Sequence, residues 1–318
     1  MIEVKGVTKR YGRQGEILAV NNISFNAQTG KIYGFLGPNG AGKTTTMSVI
    51  TGCLAATSGT VKIDGFDIYE QPYEAKKSLG YMPEIPPLYL EMTPAEYLWF
   101  VGEAKGVKKN ELGKQVESVL RRTRVSDVKN RLIRNLSKGY RQRVGFAQAI
   151  IGNPKTVILD EPTAGLDPRQ IIEMRELIQE LGRGHTVVLS SHILSEVSSV
   201  CDHILIISKG NLVASDTTEN LLKRFSGGNS LHFTLKGARD RISAALGSVD
   251  GIARHTISAR TEPGEFDAVI EMADAADRRD AISKALINAD CLILSMTREE
   301  MSLEDVFLLL TNERAKVV

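Results

Sequence analysis

Among 318 residues the chain has only three cysteines and a single tryptophan. Cys53, Cys201 and Cys291 are scattered with no CxxC spacing, which argues against zinc-site, disulfide-scaffold and redox readings. Three reduced packing thiols of a cytosolic chain are the expectation. No stretch approaches the ~18 consecutive apolar residues of a membrane span. The longest apolar runs, such as Ile204-Leu205-Ile206-Ile207, are strand-sized, so any membrane role is expected to pass through a partner. Met1-Ile2-Glu3-Val4-Lys5 opens directly on a strand pattern, from which no signal peptide is expected. No block of five or more like charges occurs, and a net charge of +2 is too small for a nucleic-acid footprint. Internal repeats and low-complexity tracts are missing too. What remains is an ordinary folding composition, 42% apolar and 25% charged, long enough for one large domain and a smaller one.

The most informative segment is Gly37-Pro38-Asn39-Gly40-Ala41-Gly42-Lys43-Thr44. It fits the phosphate-binding loop, with Gly37, Gly42, Lys43 and Thr44 at the required spacing. Glycines let successive backbone N–H groups turn inward and approach phosphate oxygens without Cβ clashes. Lys43 adds a point charge at the β- and γ-phosphates, and the Thr44 hydroxyl suits the magnesium those phosphates carry. The context agrees. Residues 31 to 36 read as a strand, and Thr45 to Thr51 as a helix whose positive N-terminus faces the anion.

Along the first part of the chain, residues 2 to 10, 18 to 27, 31 to 36 and 59 to 64 read as strands, with a helix at about 43 to 52. Residues 84 to 152 are mostly helical. There Thr93-Pro94-Ala95-Glu96 supplies an N-cap, a first-position proline and a capping-box glutamate, and Tyr97, Leu98, Val101 and Ala104 recur at helical spacing. Strand patterns return at 156 to 159, 186 to 190 and 204 to 208, separated by helical ones at 168 to 182 and 193 to 200. This is the βαβ rhythm of a buried parallel sheet. Ser226-Gly227-Gly228-Asn229 is the best linker candidate. Beyond it, strand patterns at 230 to 236, 265 to 272 and 291 to 297 alternate with helical ones at 238 to 247 and 275 to 288. That suggests a small α+β domain, compatible with a ferredoxin-like arrangement. A last helix opens at Ser302, with Asp305 three residues on and Leu303, Val306, Phe307 and Leu310 on one face.

Val157-Ile158-Leu159-Asp160-Glu161 is a hydrophobic strand ending in two acids. Ligands of doubly wound sheets bind at the carboxyl ends of strands, which puts Asp160 beside the phosphate loop as a magnesium holder. Glu161 then points beyond the γ-phosphate, where a base or water-positioner must stand. Ser137 is a good N-cap for the next helix. The same helix start, with Gly139 close by, is an anion site in its own right. His192 comes directly after the strand at 186 to 191, at the same end of the sheet.

At these residues the chain resembles the ATP-binding subunit of an ABC transporter, with residues 1 to about 225 matching the whole cassette in order. Tyr11 falls where the family stacks an aromatic on adenine, although the residues around it equally suit a core or rim aromatic. Gly37 to Thr45 matches the phosphate loop, and Leu136-Ser137-Lys138-Gly139-Tyr140 the ATP-clasping motif. Asp160 and Glu161 match the strand acids, Ala164-Gly165-Leu166-Asp167 the dimer-contact loop, and His192 the switch histidine. Glu84 stands where most members carry a glutamine sensing magnesium and the attacking water. A carboxylate still ligates magnesium but donates no hydrogen bond when ionised. This variant, with Pro-Leu-Tyr shortly after, resembles exporter-type cassettes of the multidrug and gliding-motility groups, as does Ser302-Leu303-Glu304-Asp305-Val306-Phe307.

The resemblance implies an α/β fold: a P-loop cassette at 1–225 with a parallel-sheet core, an antiparallel β subdomain and a helical subdomain. A C-terminal α+β domain at 229–318 has no assignable chemistry. It further implies ATP and Mg2+ as cofactors, with Thr44, Glu84 and Asp160 on the metal and Glu161 and His192 as catalytic residues. Two cassettes, identical or related, would pair head to tail. A transmembrane permease would anchor them at the cytoplasmic side of the membrane; most of Tyr89, Tyr97, Trp99 and Phe100 are expected in the helical-subdomain core, with an exposed subset as docking surface. Two other classes share these motifs. Soluble repair cassettes need long heptad arms, for which the spacing leaves no room, and translation versions carry two phosphate loops. A non-hydrolysing nucleotide sensor does not need both Glu161 and His192.

Overall fold

The computed structural model describes residues 1–225, 230–274, 276–299 and 302–311, so the linker candidate at 226–229 lies outside the described residues. Among the described residues the chain divides into two compact units, Met1–Thr218 with Phe307–Thr311, and Glu219–Val306.

In the first unit, β1 (Ile2–Tyr11), β2 (Ile17–Ala27), β4 (Ser58–Ile63) and β5 (Phe66–Asp67) form an antiparallel sheet in the order β2-β1-β4-β5. A second sheet contains β3 (Ile32–Leu36), β6 (Leu79–Met82), β7 (Thr156–Asp160), β8 (Thr186–Ser191), β9 (His203–Ser208) and β10 (Asn211–Asp216). Its order is β10-β9-β3-β8-β7-β6, parallel except for β10. Every residue of β3, β7 and β8 is buried, because both faces of a parallel sheet are covered. That is why these strands are continuous apolar runs and easy to recognise. Ile2, Val4 and Val7 of β1 share a core with Phe25, Phe35 and Met47, which holds the two sheets around helix α1 (Lys43–Ile50). At the carboxyl end, Leu36 pairs with Ser191 and Asp160 with Ser190. The register therefore delivers the phosphate loop, the strand acids and His192 to one end of the sheet.

The helices are α2 (Pro72–Lys77), α3 (Pro94–Ala104), α4 (Lys109–Arg122), α5 (Lys138–Ile150), α6 (Pro168–Gly182), α7 (Leu194–Val200) and α8 (Thr218–Phe225). Helix α3 opens with the expected capping box: the Thr93 amide donates to Glu96 at 2.9 Å, and the Glu96 amide to the Thr93 hydroxyl at 3.3 Å. Its apolar face differs from expectation. Ala104 is exposed and Gly102 buried instead, since a Cβ on Gly102 would lie 2.3 Å from Leu112 of α4.

Strands β6 and β10 and helix α2 escape sequence patterning. β6 has only four residues and carries Gly80, a poor strand former. The glycine is required by packing, because a Cβ there would sit 2.0 Å from the Ala149 carbonyl oxygen of α5. Gly80→Ala is expected to lower stability by about 1–3 kcal/mol, as overpacking of a rigid backbone contact does, read from a denaturation midpoint.

The second unit, to which α8 belongs from Glu219 on, continues with β11 (Ser230–Lys236), α9 (Arg239–Gly247), β12 (Ile252–Ala259), β13 (Glu265–Met272), α10 (Arg279–Asn288) and β14 (Leu292–Glu299). Its antiparallel order, β12-β13-β11-β14, is the split βαβ pattern of ferredoxin-like domains. Leu231, Phe233 and Leu235 of β11 pack with Ile242, Leu246, Ile282 and Leu286 from the two helices. β12 escapes sequence patterning because its apolar residues, Ile252, Ala253, Ile257 and Ala259, follow no strict alternation. Helix α11 (Leu303–Thr311) starts as expected, with Ser302 and Asp305 bonded reciprocally. Among the described residues no helix is long and apolar enough to cross a membrane.

Candidate nucleotide-binding site

Between β3 and α1 the loop turns through Gly40 at φ 77° and Gly42 at φ 104°, both left-handed. A Cβ on Gly42 would lie 2.4 Å from the Ala19 carbonyl oxygen, and one on Gly37 would lie 2.5 Å from that of Ile207. Only glycine meets both demands. Gly42 is the N-cap of α1 and brings no side chain to its first amides, so these are left for an outside acceptor. Lys43 opens that helix, is 6% exposed, and donates from Nζ to the Gly37 carbonyl at 2.9 Å.

The loop borders a cavity of about 300 Å³ lined by Asn39, Gly40, Gly42, Lys43, Thr44, Thr45, Glu84, Glu161 and His192, with Ala19 of β2. Glu161 lies between Lys43 and His192 in this lining. One carboxylate oxygen lies 3.5 Å from the Lys43 ammonium, and the other 2.9 Å from His192 Nδ1. Its backbone is left-handed at φ 48°, an uncommon setting for a non-glycine residue. The Glu161 amide donates to the Ser190 hydroxyl at 2.9 Å, and that hydroxyl donates to the Asp160 carboxylate. One serine thus fixes both acids.

Asp160 is 1% exposed. Burial pushes its carboxyl above the ordinary carboxylate range, and the charges of Glu161 and Glu84 add to this. Hydrogen bonds from Ser190 and Thr44 pull the other way. Glu84 is anchored through its backbone, whose carbonyl accepts from Gln142 Nε2 at 3.2 Å.

The remaining predicted residues fall into two places. The Tyr11 hydroxyl meets Thr45 Oγ1 at 3.3 Å on the rim of the loop, with Lys9 Nζ 5.3 Å from its ring centroid. Ser137, Gly139 and Asp167 do not line the cavity. Ser137 caps α5 by accepting from the Tyr140 amide, and Asp167 caps α6 by accepting from the Gln170 amide at 2.9 Å. Gly139 lies against Gln170, which a Cβ would meet at 2.5 Å, so the two helix starts adjoin. Sequence reasoning missed Ser190 and Gln142. A serine near a strand end and a glutamine inside a helix carry no local mark of what they hold.

A protein-family profile described as "ABC transporter" matches residues 20–164. Over nearly full length the chain is similar to the linearmycin resistance ATP-binding protein LnrL of Bacillus subtilis (strain 168), 31% identical across 98% of each chain. It is also similar to the bacitracin transport ATP-binding protein BcrA of Bacillus licheniformis, 33% identical across 96% of each. Among solved structures, an ATP-binding subunit of an ABC transporter covers 71% of this chain and 93% of its own, at 30% identity and TM-score 0.65. A cassette dimer in a post-hydrolysis state with ADP and Pi covers 68% and 98%, at 26% identity and TM-score 0.62. With the phosphate loop, strand acids and histidine gathered at the carboxyl end of the sheet, and with these full-length relatives, the chain belongs to the ABC transporter family as one of its ATP-binding ATPase subunits.

Proposed function

We propose that two copies of this subunit, or this subunit and a related one, pair head to tail around ATP and power export through a separate transmembrane permease. The observation that carries this reading is Glu161, held between Lys43 and His192 over the phosphate loop. In the reading, the loop amides and Lys43 bind the β- and γ-phosphates, and Tyr11 stacks on adenine. Ser137 and Gly139 of α5 face the nucleotide of the opposite cassette, next to Asp167. Helix-terminal donors supplied across the interface let the γ-phosphate hold the two copies together; its removal frees them.

Thr44, Glu84 and Asp160 suit Mg2+, being hard oxygen donors around a buried acid whose neighbours are also acidic. Among the described residues no three acidic, histidine or cysteine side chains converge as a metal site, so phosphate oxygens would complete the shell. When bound, the ion neutralises phosphate charge. Glu161 accepts the proton of the attacking water, and His192 orients Glu161 and contacts the γ-phosphate.

The similarity to proteins named for linearmycin resistance and bacitracin transport supports the outward direction. Only Tyr97 of the four aromatics is buried, against the expectation that most would be core; exposed Tyr89, Trp99 and Phe100 supply apolar surface for a permease segment, which would hold the subunit at the cytoplasmic face of the membrane. Residues 1–225 act as the cassette in this reading, and 229–318 as an accessory domain. Phosphate release from Mg2+–ATP, and purification in mild detergent with its membrane partner, test it together. A chain that releases no phosphate and retains no membrane protein would refute it. His192→Ala is expected to lower turnover by about 10²-fold, the scale of losing a group that orients a base; unaltered turnover would take His192 out of the site.

A further inference from the structure

Glu196 is a buried acid with no part in the chemistry above. It sits in the first turn of α7, 5% exposed. Its Oε2 accepts the Thr163 hydroxyl at 2.6 Å and the Ser191 hydroxyl at 3.0 Å, and both of those residues are buried as well. Thr163 lies two residues beyond Glu161, in a turn closed by the Ala164 amide on the Glu161 carbonyl at 3.1 Å. Ser191 immediately precedes His192, and its hydroxyl also accepts the Ile193 amide at 3.0 Å, bracketing the histidine.

One carboxylate oxygen therefore joins the turn behind Glu161 to the turn that carries His192. We infer that Glu196 is a positioning residue for hydrolysis, setting the 2.9 Å approach of His192 to Glu161 by fastening Thr163 and Ser191 to one point. A leucine would fill this interior position without the desolvation a carboxylate suffers, so packing alone gives no reason for an acid here. The two serines that end β8 divide the work. Ser190 reaches the β7 acids, whereas Ser191, on the opposite face of the strand, reaches Glu196. A glutamate backbone at φ 48° persists only where its surroundings over-determine it, and Ser190 and the Thr163–Glu196 bond are two such constraints.

The inference rests on the roles proposed for Glu161 and His192, so Glu161→Gln is measured alongside. In the full chain with Mg2+–ATP, Glu196→Ala is expected to lower kcat about tenfold or more, with ATP affinity within about twofold, because only the reacting geometry loosens. Glu196→Gln is expected to recover most of that loss, since its amide oxygen accepts both hydroxyl protons. Adding Thr163→Val to Glu196→Ala should cost nothing more, as members of one contact are not additive. Turnover within about twofold of wild type in Glu196→Ala would overturn the inference. A glutamine variant as impaired as alanine, or losses that multiply, would overturn it too. If Glu161→Gln is inactive while Glu196→Ala is not, this inference fails alone; if Glu161→Gln still turns over, the proposed base fails. Should Glu196→Ala not fold, near-isosteric Thr163→Val carries the test: about threefold lower kcat at unchanged ATP affinity is expected, and an unchanged kcat overturns it.

Discussion

Glu161→Gln is expected to reduce ATP turnover by about 10²–10⁴-fold, the range for loss of a positioned general base, while ATP still binds. Glutamine keeps the shape and can occupy the same left-handed backbone, whose amide remains bonded to Ser190. It cannot accept the proton of an attacking water. The nucleotide contacts proposed for the loop, Lys43 and Ser137 are untouched, so the ATP-bound pair of cassettes should accumulate instead of reopening. Phosphate release, nucleotide titration and light scattering with and without ATP read the three parts of this expectation. Wild-type turnover in the variant would remove Glu161 from the role of base.

Lys43→Ala is expected to act at the earlier step, weakening ATP binding itself by about 30- to 150-fold, the worth of roughly 2–3 kcal/mol for a charge-assisted contact. The side chain is 6% exposed and aimed along its own loop, where it donates to the Gly37 carbonyl. Its loss has a second consequence. The ammonium lies 3.5 Å from Glu161, whose charge, like that of Glu84, bears on buried Asp160. Without the lysine, Glu84 and Glu161 face an incoming triphosphate with no lysine or arginine left in the cavity lining. Titration calorimetry checks the prediction, and unchanged affinity would exclude Lys43 from the phosphate contacts.

Sequence was a good guide where the physics is local. The glycine loop is legible because the left-handed turns at Gly40 and Gly42, and the close carbonyls at Gly37 and Gly42, favour glycine over any other residue. Strands β3, β7 and β8 are legible because burial on both faces leaves apolar runs. The capping boxes at Thr93 and Ser302 are likewise short-range signals. What escaped depends on partners distant in the chain. Gly80 makes sense only beside Ala149. Ser190, Gln142 and Glu196 are ordinary letters until the fold brings Asp160, the Glu84 carbonyl and Thr163 to them.

The strand order has a consequence for how the molecule is made. β3 carries the phosphate loop at its end, yet its neighbours in the sheet are β8 and β9, far along the chain. During synthesis the β1–β2 hairpin can close early, but this central strand has no sheet partner until Thr186 and the rest of β8 have left the ribosome. A nascent chain halted before that point would present an unsatisfied apolar edge to chaperones. It would have no acid-lined cradle, so nucleotide could not help the amino-terminal half to fold.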